Sequence, residues 1–146
     1  MSTIFENYEL IIFDWEGTLA FSENMQDHLF PGVKNMLEVL SKNKKLAIAT
    51  GKGEQSLLFA LEQFNITQLF TVICSASNFN SKPDPAMLLH AMQETNIRAP
   101  KTLMVGDSFV DVAAANAAGV DSCLITKSNT LPDMDVNYVI PELPKL

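Results

Sequence analysis

Short apolar runs recur at regular intervals along the chain, and helix-like segments separate them. Five such runs occupy positions 10–13, 46–50, 72–75, 102–105 and 122–126. Their hydrophobicity is continuous rather than alternating, which is typical of strands that are buried on both faces of a sheet. We therefore predict five buried β-strands.

The segments between these runs carry apolar residues along one helical face. Apolar positions follow the i, i+3, i+4, i+7 spacing in 33–40 and 110–117, and a similar stripe runs through 57–64. A further helix, 85–95, opens on Pro85, and Gly119 is well placed to end the last helix. Strand–helix alternation predicts a parallel sheet covered by helices. The predicted fold class is α/β, with a doubly wound, Rossmann-like, five-stranded parallel sheet.

Length, composition and charge limit the functions to consider. With 146 residues, of which 47% are hydrophobic, the chain fits a single domain, residues 1–146. The net charge of −7 leaves no basic surface for tracking a nucleic-acid backbone. Non-specific nucleic-acid binding is therefore not expected.

Cysteine usage and the lack of long apolar runs indicate a cytoplasmic protein. Cys74 and Cys123 lie in strand-like runs without CxxC spacing, so we interpret them as buried thiols of a reducing compartment. No run approaches the ~18 apolar residues of a membrane span, and the first residues lack the pattern of a signal peptide. We expect no membrane association.

Polar and charged residues follow nearly every predicted strand. In doubly wound sheets, ligands bind outside the carboxyl ends of the strands. The side chains of Asp14 and Glu16 are expected on the same side of the chain, because residues i and i+2 of an extended segment point the same way. Their Cα atoms would lie roughly 6 to 7 Å apart. The residues at these strand ends are Asp14 and Glu16, Thr50 and Gly51, Lys82, Asp107 and Asp111.

Together these groups suit a hard cation that bridges to a phosphoryl group. Mg²⁺ prefers oxygen ligands and is usually held by one or two carboxylates, with water and phosphate completing its shell. Its charge would offset the repulsion between Asp14 and an anionic phosphate. Of the two acids at the first strand end, one can attack or bind metal while the other moves a proton. Mg²⁺ is therefore the expected cofactor.

The order and strand context of these residues resemble the four motifs of the haloacid dehalogenase (HAD) superfamily. The resemblance spans nearly the whole chain. The wording of the motifs is similar to that of the phosphoglycolate-phosphatase-like branch of the superfamily. The sequences that carry it are Asp14-x-Glu16-Gly17-Thr18, Thr50, Ser81-Lys82-Pro83-Asp84-Pro85, Gly106-Asp107-Ser108-x-x-Asp111 and the closing Tyr138-Val139-Ile140.

The resemblance implies a phosphomonoester hydrolase and a role for each residue. Asp14 would attack phosphorus to form an aspartyl-phosphate, and Glu16 would act as general acid and base. Thr50, Gly51 and Lys82 would bind phosphate. The remaining roles concern the metal: Mg²⁺ would be bound by Asp14, Asp107 and the backbone carbonyl of Glu16, with support from Ser108 and Asp111.

Glu16 departs from the superfamily pattern, because phosphatases of this kind ordinarily have aspartate at that position. The extra methylene moves the carboxyl by about an ångström, and misplacement on that scale can lower a rate on the order of 10²-fold. Two hypotheses follow: slow turnover, or a catalytically impaired scaffold that binds phosphate or a partner protein.

The interval between Asp14 and Thr50 is too short for a helical cap domain. Family members with similar motifs usually insert such a cap at this point. We therefore expect an open, capless site. Its substrate would be a phosphorylated small molecule or macromolecule, and a neighbouring subunit of a homo-oligomer could serve as a lid. The similarity of the motifs to the phosphoglycolate-phosphatase-like branch does not by itself identify phosphoglycolate as the substrate.

The same residues have other interpretations. Taken singly, Thr50 could be a helix cap, Lys82 a solvated loop residue, and Asp107 with Asp111 a cap and an exposed acid. Gly51-Lys52-Gly53 resembles part of a dinucleotide-binding loop, but Ser56 stands at the third glycine position. A phosphate-accepting receiver domain lacks support because Ser75 and Ala76 follow the third strand where an acid is needed.

Overall fold

The computed structural model describes residues 3–131 and 133–146, which form a layered α/β structure. The strands are β1 (Leu10–Phe13), β2 (Ala20–Glu23), β3 (Gln26–Leu29), β4 (Lys45–Thr50), β5 (Val72–Ser75), β6 (Thr102–Gly106), β7 (Asp121–Ile125) and β8 (Tyr138–Ile140). The helices are α1 (Val33–Leu40), α2 (Glu54–Gln63), α3 (Ala86–Thr95) and α4 (Phe109–Ala118). All five predicted strands and all four predicted helices are present, so the predicted fold class is confirmed.

The main sheet has six parallel strands in the order β5-β4-β1-β6-β7-β8. It is one strand wider than predicted, because Tyr138–Ile140 pairs with β7 at the edge. The central strand β1 is completely buried from Leu10 to Phe13. Its neighbours are β4 and β6, so the chain segments that follow these three strands lie side by side.

Alternate residues of β1 face two different cores. Ile11 and Phe13 belong to the larger core, whereas Leu10 and Ile12 belong to the other. Helices on both faces explain why the strand sequence is continuously apolar. Cys74 and Cys123 are buried free thiols, as predicted, and burial raises the pKa of each to about 12.

A small antiparallel hairpin, β2–β3, fills the interval between β1 and α1. No hydrophobic pattern in the sequence predicts this hairpin, because its residues are largely polar and only partly buried. The hairpin and α1 account for the chain between Asp14 and β4, so no helical cap is inserted there, as expected. Within the described residues, no helix has the length and apolar character needed to cross a membrane.

Candidate active site

Asp14 lies at the centre of the candidate site, directly after β1. Its backbone N–H donates to the carbonyl of Val105 on β6 (3.0 Å), so the parallel pairing continues to the point where the strand ends. One carboxylate oxygen, Oδ1, accepts a hydrogen bond from the Trp15 backbone N–H (2.8 Å). Trp15 is fully buried and anchors the segment beneath Asp14.

Lys82 reaches the Asp14 carboxylate from the loop between β5 and α3. Its Nζ lies 3.2 Å from Asp14 Oδ1 and 2.5 Å from Asp111 Oδ1, and its side chain is 5% exposed. Burial raises the pKa of Asp14 to about 7, and the charge of Lys82 opposes that shift. The buried lysine thus holds two acids together that would otherwise repel one another.

Asp111 ties the loop after β6 to the start of α4. Its Oδ2 accepts hydrogen bonds from the backbone N–H groups of Asp107 (3.1 Å) and Ser108 (3.2 Å) and from the Ser108 hydroxyl (3.2 Å). Ser108 and Asp111 form a capping box at the helix N-terminus. Both oxygens of Asp111 are therefore already engaged, one with Lys82 and the other with the loop.

Asp107 projects beside Asp14 with its side chain exposed. Its Oδ1 accepts a hydrogen bond from the Thr18 hydroxyl (3.2 Å). Asp14, Asp107 and Asp111 each offer an oxygen, and these atoms lie within 4.8 Å of one another. Such a set of hard oxygen donors fits a cation such as Mg²⁺. Because Asp111 is engaged elsewhere, Asp14 and Asp107 are the carboxylates that such a cation could share.

Two glycines make room for these carboxylates. A Cβ added to Gly106 would lie 2.2 Å from Asp111 Cγ, and a Cβ added to Gly17 would lie 2.2 Å from Asp107 Oδ2. Gly17 also has a positive φ of 82°, which side-chain-bearing residues rarely adopt. By contrast, a Cβ at Gly51 meets nothing within 4 Å.

We expect Gly106→Ala to lower the free energy of unfolding by about 2–3 kcal/mol, because overpacking at this point displaces the Asp111 carboxylate and its hydrogen bonds. Gly51→Ala is the matched control and should change stability by less than about 0.5 kcal/mol. Urea unfolding of both variants measures the difference. Equal stability of the two variants would contradict the packing observed around Asp111.

Five of the sequence-predicted residues line one open pocket of about 350 Å³: Asp14, Glu16, Thr50, Gly51 and Lys82. Thr50 is 1% exposed, and its Oγ1 accepts a hydrogen bond from the Lys52 backbone N–H (3.1 Å). Its hydroxyl proton remains available for another acceptor. Glu16 is exposed at the pocket. Asp107 and Asp111 join the set through their proximity to Asp14, and Ser108 joins it through its hydrogen bond to Asp111.

Sequence reasoning missed a second cationic side chain at this pocket. Lys52 lines it, and its Nζ lies 3.4 Å from Asp27 Oδ2 on the hairpin. The same oxygen accepts a hydrogen bond from the Trp15 indole N–H (3.0 Å). The position of Lys52 directly after Thr50-Gly51 was the available signal, but nothing in the sequence connected it with Asp27.

Known proteins resemble this chain in sequence and in fold. The family model described as haloacid dehalogenase-like hydrolase matches residues 20–125, a range that begins after Asp14 and includes Thr50, Lys82, Asp107 and Asp111. A phosphoglycolate phosphatase of Aliivibrio fischeri is 40% identical over 101 residues, which are 68% of this chain and 44% of that protein. Its counterpart in Nitrosococcus oceani is 37% identical over 101 residues, with 45% of that protein covered. The chain therefore spans less than half the length of these curated relatives.

Solved structures show the same fold at low sequence identity. A predicted phosphoglycolate phosphatase from Haemophilus somnus superimposes with a TM-score of 0.81 at 19% identity, covering 93% of this chain and 95% of that one. A HAD phosphatase from Thermococcus onnurineus gives a TM-score of 0.80 at 17% identity, covering 92% and 94%. At these identities the likeness concerns the fold alone.

Proposed function

The chain belongs to the haloacid dehalogenase-like hydrolase family, and from that membership we propose that it is a Mg²⁺-dependent phosphomonoester hydrolase with Asp14 as its nucleophile. The observation that carries the proposal is the convergence of Asp14, Asp107 and Asp111 within 4.8 Å, with Lys82 3.2 Å from Asp14. The Asp14 carboxylate is thus surrounded by a cation, by acidic groups that could bind a metal, and by a hydroxyl. Such an arrangement suits attack on a phosphate ester.

Asp14, Asp107 and the backbone carbonyl of Glu16 are the proposed Mg²⁺ ligands. When bound, Mg²⁺ would neutralise negative charge on the phosphoryl group and on the attacking carboxylate. Asp111 and Ser108 support the site indirectly, since Asp111 fixes both Lys82 and the loop that carries Asp107.

In the first step, an Asp14 oxygen attacks phosphorus while the bond from phosphorus to the ester oxygen breaks. Glu16 donates its proton to the departing oxygen, which leaves as an alcohol. The Thr50 hydroxyl and the Gly51 backbone N–H donate to the phosphoryl oxygens, and Lys82 balances the charge of the phosphate and Asp14. These groups stay fixed by the strand ends, so little reorganisation accompanies the reaction.

In the second step, Glu16 accepts a proton from a water molecule that attacks the aspartyl-phosphate. The bond between phosphorus and Asp14 breaks, phosphate leaves, and the Asp14 carboxylate is restored. Glu16 is suited to both proton transfers because its side chain is exposed at the pocket, where water can reach it.

The rival hypothesis, a catalytically impaired scaffold that binds phosphate or a partner protein, is not favoured. The chain matches a hydrolase family, and the relatives named above are phosphatases. The names of those relatives make phosphoglycolate a first substrate to test. We propose further that the chain acts as one domain in the cytoplasm and that a second copy could cover the open site.

Phosphate release from an aryl phosphate tests the proposal. Purified protein should release phosphate when Mg²⁺ is present and stop when EDTA is added. Protein quenched in acid during turnover should carry covalently bound phosphate that hydroxylamine or alkali removes, as is typical of an acyl-phosphate. No release across a broad panel of phosphomonoesters would favour the binding scaffold.

Glu16→Asp should raise steady-state turnover, by as much as about 10²-fold, because a shorter side chain corrects a displacement of about an ångström in the acid/base group. Comparing the burst of alcohol release with steady-state phosphate release shows which step Glu16 slows. Glu16→Gln is the control, since it keeps the length and removes the proton. Equal or lower turnover in Glu16→Asp would show that glutamate at this position does not slow the reaction.

A further inference from the structure

A second depression adjoins the catalytic pocket, between the β2–β3 hairpin and helix α2. We name it the hairpin groove. It has a volume of about 400 Å³. The residues that matter here are Met25 and Gln26 from the hairpin, Lys52 from the loop after β4, and Gln55, Phe59 and Gln63 from α2.

Lys52 connects the hairpin groove with the catalytic pocket, because it lines both. It directly follows Thr50 and Gly51, the residues proposed to hold phosphate. A phosphate ester seated on Thr50 and Gly51 therefore has the groove next to it, on the side of Lys52. The groove is thus in position to receive the part of the substrate that the phosphate leaves behind.

The charges that line the hairpin groove compensate one another. Lys52 and Asp27 lie 3.4 Å apart, with side-chain exposures of 24% and 10%. Asp27 is also held by the Trp15 indole, so the pair is fixed to the core of the protein. These two are the charged side chains of the groove lining, which therefore offers no unpaired cation to a leaving group that carries a carboxylate.

The remaining lining of the groove combines exposed apolar surface with amides. Phe59 is 71% exposed and Met25 is 99% exposed, which is unusual for side chains of this size. Gln26, Gln55 and Gln63 can each donate and accept hydrogen bonds. An aromatic face surrounded by amides suits a flat or partly apolar group that carries hydrogen-bonding atoms and no charge.

We propose that the hairpin groove binds the leaving group of the substrate and selects an uncharged alcohol with an apolar face and hydrogen-bonding groups, such as a nucleoside. The inference rests on the proposed function, because it assigns the substrate class of that site. Phe59 supplies the surface on which the group packs. The pairing of Lys52 with Asp27 disfavours a small carboxylate such as glycolate.

Two phosphate esters that differ in charge test the selection: uridine 5′-monophosphate and 2-phosphoglycolate. With Mg²⁺, the wild-type protein should have the higher kcat/KM for the uridine ester. Phe59→Ala should lower the ratio of the two kcat/KM values about tenfold, mainly through KM, because it removes the packing face. Leu89→Ala, an equally apolar truncation at a 49% exposed position on α3, should leave the ratio unchanged.

Gln55→Lys should shift the substrate preference toward the ester that carries a carboxylate. It places an unpaired cation in the groove, so kcat/KM for 2-phosphoglycolate should rise about threefold to tenfold relative to the uridine ester. Gln93→Lys on α3, which adds the same charge outside the groove, should leave the ratio unchanged.

The outcomes separate this inference from the proposed function. A wild-type preference for 2-phosphoglycolate, or equal effects of Phe59→Ala on both esters, would overturn the groove assignment while leaving the phosphatase intact. If neither these esters nor any other member of a broad phosphomonoester panel is hydrolysed, the proposed function fails, and calorimetric titration with uridine 5′-monophosphate decides about the groove. Binding that weakens in Phe59→Ala supports the groove, and binding that is absent or unaffected by this change overturns it.

Discussion

Asp14→Asn should reduce phosphate release by about 10⁴-fold or more, since removal of a nucleophile leaves only the binding contribution to catalysis. The same change should stabilise the metal-free protein. Asparagine keeps the shape of the side chain, and the amide cannot form the aspartyl-phosphate. Turnover of an aryl phosphate with Mg²⁺ measures the first effect, and urea unfolding in EDTA measures the second.

The stabilisation follows from the burial of Asp14. Burial raises the pKa of this carboxyl from 3.8 to about 7. Below pH 4 the group is protonated in both the folded and unfolded protein and contributes nothing to the difference. Between about pH 4 and 7 the unfolded chain has released this proton while the folded protein retains it, so stability falls as pH rises. Above pH 7 the folded protein carries a poorly solvated carboxylate and the loss is complete. At pH 8 the asparagine variant should therefore be more stable than wild type, by up to about 4 kcal/mol.

The advantage of Asp14→Asn should shrink at pH 5, where the buried carboxyl is mostly protonated. Asp135→Asn serves as the control, because this aspartate is exposed and should affect neither turnover nor stability. A variant that keeps wild-type turnover would remove Asp14 from its proposed role. A variant that is less stable than wild type at pH 8 would show that the Lys82 pair outweighs the effect of burial.

The central strands were predictable because burial on both faces leaves a strong sequence signal. Every residue of β1 is inaccessible to solvent, and β4 is buried from Leu46 onwards. Continuous apolar runs of this length have few alternatives once helical segments separate them. Strand ends then follow directly, and with them the positions of Asp14, Thr50 and Asp107.

The β2–β3 hairpin was not predictable in the same way. Its sequence is mostly polar, and β2 and β3 form a two-stranded sheet separate from the main one. The contacts that hold it include the hydrogen bond from the buried Trp15 indole to Asp27 and the Lys52–Asp27 pair. Such contacts join residues with no periodic relation in the sequence. The edge strand β8 was missed because it has only three residues, none of them fully buried.

Some residues of the candidate site could likewise be predicted from sequence and others could not. Residues at strand ends could be predicted, because the topology alone brings them to one edge of the sheet. Gly106 and Gly17 could not be interpreted from sequence as space for the Asp111 and Asp107 carboxylates, since that requires the approach of side chains from distant segments. The hairpin groove likewise depends on how a polar hairpin sits against α2.

Lys82→Met should be the most disruptive single change in the site, lowering both stability and turnover. Lys82 is 5% exposed and contacts Asp14 at 3.2 Å and Asp111 at 2.5 Å. Methionine fills similar space but leaves the two buried carboxylates facing one another without a cation. Breaking a buried pair from one side typically destabilises a protein by about 3–5 kcal/mol. Urea unfolding in EDTA at pH 8 should show a loss of this size.

Turnover should fall for a related reason. The Asp111 charge already raises the pKa of Asp14, and without Lys82 nothing among the described contacts of Asp14 opposes that effect except the Trp15 N–H. More of the nucleophile is then protonated, and the phosphate loses its neutralising partner. Lys101→Met, at an exposed lysine, is the matched control and should change neither quantity.

The double variant Lys82→Met with Asp14→Asn distinguishes charge repulsion from a simple packing defect. If repulsion between Asp14 and Asp111 causes the loss, Asp14→Asn should stabilise the Lys82→Met protein by more than it stabilises wild type, with a coupling of about 1–3 kcal/mol. A packing defect would instead give additive changes, because asparagine and aspartate occupy the same space. Additivity would therefore mean that Lys82 supports the fold through its hydrocarbon chain, and that its charge matters only once phosphate is bound.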